Sequence, residues 1–186
     1  MGDFYGEKKR KGGVKMANLV KIEFIEMPKV LVVGKTTVVD WLKVHGDNPI
    51  PAFWKECFKG KMFQKLELLS DYIYDPAYVG YMTMHSYTCG MLMKLGCPIP
   101  EEDFTSVEIL PTKVALGWIR GKKQDICMNA HALTEKALED WGYRYNPDCK
   151  WSMELYNCPR FTEKDEEGKT SAKPLSYRPV GKIIRC

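Results

Sequence analysis

With 186 residues, 45% of them hydrophobic and 28% charged, the chain has enough apolar content for a real core and enough charge for solubility. No apolar run is long enough to span a bilayer, which argues against a membrane role. The formal charge of +4 sits mostly at one end: residues 1–15 hold five basic residues against two acidic ones, leaving 23 against 22 elsewhere. That distribution disfavours a nucleic-acid-binding face. The seven cysteines are odd in number and contain no CxxC pair. They argue for reduced thiols in the cytoplasm, and against a disulfide frame or a structural zinc site.

In chain order, residues 1–18 read as a basic, disordered leader whose KKRK run is solvated. Residues 19–186 read as one domain made of two similar halves, about 19–97 and 104–186. The halves echo each other. VKIEFIE leads to Met27-Pro28 and then VLVVGK, reaching Gly34; FTSVEI leads to Leu110-Pro111 and then KVALGW, reaching Gly117. In both, an alternating apolar strand precedes a proline, and aliphatic residues fill the gap to a glycine six positions later.

A helix candidate follows each echo. In NPIPAFWKECFKGKMF, Phe53 and Cys57, with Trp54, Phe58 and Met62, fall at fourfold spacing and share one face, which Gly60 interrupts. In QDICMNAHALTEKALEDWG, Ala130, Leu133, Ala137, Leu138 and Trp141 form the apolar stripe, and Gly142 is a stop signal. Strand candidates come next: Ala77 to Tyr87 in the first half, then Trp151 to Tyr156 and PLSYRPVGKII in the second, with TEKDEEGKTSAK as a charged loop. The pattern predicts an α+β fold, a tandem pseudo-repeat of a βαββ unit with an antiparallel sheet and a cleft between the halves.

One residue is out of place. By alternation in WSMELY, Trp151, Met153 and Leu155 face one way, and Ser152, Glu154 and Tyr156 the other. Either that second face is wet or it lines a cavity in which a single carboxylate matters. On AYVGYMTMH, Tyr78, Gly80 and Met82 share one face and Val79, Tyr81 and Thr83 the other. Gly80 would let another group approach the backbone closely, and Tyr81 is chosen as the wall residue. Trp141 and Trp151 are expected in the core. Trp118 is placed near the cleft and Trp54 in the core or at the cleft edge. His131, on a helix, is read as surface or satisfied core. GKT in VLVVGKTT lacks the spacing of a phosphate loop.

The order VEILPTKVALGWIRG, ALEDWGYRY, WSMELYNCPRF, SYRPVGK, preceded by VKIEFIEMPKVLVVGK, IPAFWKECF and AYVGYM, resembles the GyrI-like small-molecule-binding domain of the AraC-type effector-binding superfamily, from about Val20 to Ile183. The resemblance implies a central aromatic cleft in which a glutamate, here Glu154, meets hydrophobic, cationic ligands. A carboxylate enclosed without a partner attracts a cation, and aromatic walls hold it by contact area and cation–π attraction. The resemblance supplies Glu154 as the ligand-binding carboxylate, and the strand faces and helix stripe add Tyr156, Tyr81, Trp118, Trp54 and, in the last strand, Tyr177 as wall residues. No cofactor and no metal are expected.

The expected activity is that of a stand-alone binding protein for drug-like or toxic small molecules. No helix-turn-helix is expected ahead of the domain, so regulation would need a partner chain. The alternatives are a hydrolase of cyclopropane-containing compounds with Glu154 as its catalytic group, and a gyrase- or regulator-interacting protein. A haem-carrying relative of the fold is a more distant reading, since no axial ligand stands out. The hydrolase reading expects a second acid at the start of the last strand, where Leu175 stands instead, and Arg178 in that strand would compete for Glu154.

Overall fold

The computed structural model describes residues 17–42, 48–121, 123–144, 149–156 and 181–185, with residues 123–124 and 181–185 described by their backbone alone. The alternating segments form strands, and the first proline of each echo separates one pair. Strand β1 (Asn18–Met27) gives way to β2 (Val30–Val38) across Pro28 and Lys29. Helices α1 (Ile50–Lys59) and α2 (Met62–Glu67) follow, then β3 (Ile73–Thr83) and β4 (Ser86–Met93). The second half repeats the order with β5 (Thr105–Ile109), β6 (Thr112–Arg120), α3 (Lys123–Asp140), β7 (Trp151–Tyr156) and β8 (Gly181–Arg185).

The eight strands form one sheet in the order β1-β6-β8-β7-β3-β4-β2-β5, with antiparallel pairs throughout. Two connections shape it. Only two residues join β1 to β2, and only two join β5 to β6, although each pair sits near opposite ends of the sheet. A two-residue link cannot cross a flat sheet of this width, so the sheet bends back toward itself. Its inner face forms a core that unites Val30, Val32 and Ile109 from one end with Val114, Leu116, Met153 and Leu155 from the other. The sheet stays open between its edge strands β1 and β5.

The helices cover the outer face. Gly60 ends α1, Lys61 turns through the left-handed region (φ 56°), and α2 starts at Met62. Cys57, Met62, Phe63 and Leu66 pack on Val33, Cys89, Met91 and Met93. On α3 the buried positions are Ile126, Ala130, Thr134 and Leu138, four residues apart. Helix α3 approaches β6 closely because Gly117 has no side chain: a Cβ there would lie 2.2 Å from Thr134 Oγ1.

Two expectations need correction. Trp141 is not in the core but 56% exposed: α3 ends at Asp140, and Gly142 (φ 79°) turns the chain away from the stripe. The cysteines are not all thiols. Cys57, Cys89, Cys97 and Cys127 are free, but Cys149 is disulfide-bonded. Trp151 does pack against the inner core, as expected.

Candidate functional site

Strand register sets the site. One row of directly paired residues crosses the sheet: Gly117, Ile183, Glu154, Gly80, Cys89 and Lys35. Directly opposed residues share a face. Helix α3 packs on that face at Gly117, and α1 packs on it near Cys89. Glu154 therefore lies on the helix-bearing face, between α3 and α1, on a central strand.

The Glu154 side chain is only 13% exposed. Its two oxygens meet different groups. Oε2 accepts from the Tyr156 hydroxyl at 2.5 Å and, more weakly, from Tyr87 at 3.4 Å. Oε1 lies 3.3 Å from Nε2 of His131 on α3, whose side chain is 22% exposed. The Tyr87 hydroxyl in turn accepts from Trp54 Nε1 at 2.9 Å, so a chain of contacts runs from α1 through β4 to the carboxylate.

Aromatic rings surround this chain. Trp54 stacks on Phe63 with centroids 5.6 Å apart and meets Tyr156 edge-on at 5.2 Å. Phe63 stacks on Tyr78 at 3.9 Å, and Phe58 lies within 6 Å of Trp54, Phe63 and Tyr78. Phe58 remains 48% exposed, which leaves an aromatic surface within reach of solvent at the edge of this cluster. Such pairs favour offset or edge-on contacts and give rigid walls.

Burial dominates the electrostatics. It pushes the Tyr87 and Tyr156 hydroxyls well above the ordinary phenol range, and the nearby Glu154 charge adds to the effect. Burial likewise raises the Cys89 thiol, while a hydrogen bond from Cys89 holds Cys57 below its usual value. Both tyrosines thus stay neutral donors. Among the described residues no group of three His, Cys, Asp or Glu side chains could hold a metal ion.

Of the residues named from sequence, the structure brings together Glu154, Tyr156 and Trp54. It places Tyr81 and Trp118 on the opposite face. Tyr81 is one residue out of phase with Gly80, so it points into the inner core and lies 6.0 Å from Trp151. Trp118, one residue past Gly117, packs against the same core, donates to Glu23 and lies beneath Lys21. Tyr177, Leu175 and Arg178 lie outside the described residues. Sequence reasoning missed Tyr87, His131, Tyr78 and Phe63. Gly80 carried a usable signal: a glycine in a strand marks where another group comes close, and that group is the Tyr87 hydroxyl.

No family model and no curated protein sequence matches the chain. Solved structures do. SAV2435 bound to tetraphenylphosphonium matches with a TM-score of 0.61 at 9% identity, over 89% of this chain and 93% of that one. A Staphylococcus aureus MU50 protein provisionally assigned to bacterial transcription regulation matches with a TM-score of 0.59 at 12% identity, over 89% and 96%. An integron cassette protein, VCH_CASS2, from the mobile metagenome of Vibrio cholerae matches with a TM-score of 0.50 at 9% identity, over 91% and 95%. At these identities the likeness is one of fold, and it agrees with the doubled strand–helix–strand order and the open antiparallel sheet: the chain has the fold of the GyrI-like effector-binding domains.

Proposed function

We propose that this protein binds small hydrophobic cations in a cleft between its two halves, sensing or sequestering drug-like molecules. The observation that carries the reading is the Glu154 carboxylate, 13% exposed between α1 and α3, with His131 Nε2 3.3 Å from its Oε1. An enclosed carboxylate with no other charge opposite it among the described residues favours a cation. Trp54, Phe58 and Tyr156 supply the apolar and cation–π surface. A structure of similar fold holds tetraphenylphosphonium, which is such a cation.

The test is titration of the protein with tetraphenylphosphonium, followed by tryptophan fluorescence. Glu154→Gln is expected to weaken binding tenfold or more, about 1.4 kcal/mol. Equal affinity in the variant would overturn the cation reading.

A hydrolase is the second reading, favoured by one contact: the Tyr156 hydroxyl, 2.5 Å from Glu154 Oε2, pairs a proton donor with a base. Turnover of a cyclopropane-containing compound that is lost in Glu154→Ala would establish it. The four free thiols among the described residues favour a reducing, cytoplasmic setting, and the disulfide at Cys149 counts against it. Among the described residues no helix is long and apolar enough to cross a membrane.

A further inference from the structure

The geometry points to His131 as the residue that sets the charge selectivity of this site: its imidazole is a built-in rival to a cationic ligand, displaced or deprotonated when the ligand binds. The inference rests on the cation-binding reading of Glu154 and adds a competitor to it.

The two carboxylate oxygens of Glu154 are not equivalent. Oε2 is occupied by two neutral phenols, Tyr156 at 2.5 Å and Tyr87 at 3.4 Å. Neither adds a charge of either sign, because burial keeps both hydroxyls protonated and neutral. Oε1 faces His131 Nε2 at 3.3 Å. An imidazole takes up a proton in roughly the pH 5–8 range. The pair therefore has two charge states. With His131 neutral, the site carries the carboxylate's negative charge and takes a monocation. With His131 protonated, the charge is already matched inside the protein, and a cation must break that pair before it binds.

Other titratable groups lie near His131 among the described residues. From β7 it faces Glu154, whose other oxygen takes the hydroxyls of Tyr156 on β7 and Tyr87 on β4. On α3 itself, Cys127 and Glu135 lie one turn to either side. Strand β6 turns Ala115, Gly117 and Ile119 toward α3, and β1 turns Ile22 and Phe24 the same way, none of them titratable. Farther along that face, Glu26 and Lys113 pair with each other at 3.9 Å in solvent. The side chains of β8 lie outside the described residues.

His131 and Glu154 are mostly enclosed, at 22% and 13% exposure. Their interaction is therefore screened far less than a surface pair would be. A bound hydrophobic cation would enclose them further, so that the two positive charges compete directly for Oε1.

The test uses tetraphenylphosphonium, whose charge does not depend on pH, at about pH 7.5 and about pH 5.5. Calorimetry in buffers of different ionisation enthalpy counts protons released on binding. The wild-type protein is expected to lose about tenfold in affinity at the lower pH and to release a fraction of a proton there. His131→Gln keeps a neutral donor near Oε1; it is expected to bind equally at both pH values and to release no proton. His131→Asn provides the same readout if the glutamine variant does not fold. Binding that is independent of pH in the wild type would overturn the role of His131 and leave the cation reading intact. A pH dependence that persists in both variants would overturn it too, assigning the proton to Glu154. No binding at either pH would overturn the cation reading itself, and this inference with it.

Discussion

The hydroxyl of Tyr87 stands in the volume that a side chain at residue 80 would fill: a Cβ on Gly80 would lie 2.0 Å from that oxygen and 2.7 Å from the ring carbon that bears it. Tyr87 is 1% exposed, accepts from Trp54 and reaches toward Glu154. The absent side chain thus lets a buried phenol bridge α1 to the carboxylate. Gly80→Ala is expected to destabilise the protein by about 1–3 kcal/mol, as overpacking does in a closed core, and to break the Trp54–Tyr87 bond. Tyr87→Leu withdraws the hydroxyl and the ring tip. In a double-mutant cycle read by chemical denaturation, Gly80→Ala should cost less when combined with Tyr87→Leu than alone, by at least about 0.5 kcal/mol. Strictly additive effects would refute the contact.

The site residues separate by face, and this has a direct consequence for ligand binding. Trp54 touches Tyr87 and Tyr156 on the helix-bearing face, whereas Trp118 packs on the inner core. Trp54→Phe removes an N–H donor, a loss of about 0.5–1.5 kcal/mol in stability. It also removes the best cation–π surface, and should weaken tetraphenylphosphonium binding by about threefold or more. Trp118→Phe and Tyr81→Phe should leave that affinity within about twofold. The same titration decides all three. Loss of binding in Trp118→Phe with none in Trp54→Phe would put the ligand on the wrong face for Glu154.

The inner face is tested by stability instead. Leu155 neighbours Glu154 in sequence but points the other way, and is 1% exposed within the core that joins the two ends of the sheet. Leu155→Ala should cost about 2–5 kcal/mol by denaturant unfolding. Leu42→Ala, at a residue 87% exposed, should lie within about 0.5 kcal/mol of wild type. Comparable costs at the two positions would rule out the folded-back sheet.

What the sequence made legible was local. Pro28 and Pro111 break strands, alternation in WSMELY assigns Glu154 and Tyr156 to one face, and Gly60 stops a helix; each effect acts within a few residues. The partners of Glu154 were not legible. His131 reaches it only because β7 lies between the strands under α3 and those under α1, an order fixed by long-range pairing. Tyr81 was preferred to Tyr78 because composition alone does not say which side of a two-faced buried strand meets the helices. Gly80 held that information, since the face lacking a side chain is the one another group enters. Trp141 looked like core because the helical period was carried one residue past the end of α3.

The two buried phenols also make stability depend on alkaline pH. Burial, with the Glu154 charge second, raises the titration of Tyr87 and Tyr156 in the folded chain well above the phenol value, which is about 10 in an unfolded chain. Burial raises Tyr81 as well. Above that pH the unfolded chain gives up phenolic protons that the folded chain keeps. The unfolded state then binds fewer protons, and stability falls as pH rises. The contribution is fully present below about pH 10 and is lost as pH climbs toward the folded-state values, at up to about 1.4 kcal/mol per pH unit for each tyrosine. Denaturant unfolding from about pH 9 to about pH 11 should show this decline, and Tyr156→Phe should make it shallower by about one tyrosine's share. An unchanged slope in Tyr156→Phe would mean that this hydroxyl is not held against the carboxylate in a closed site.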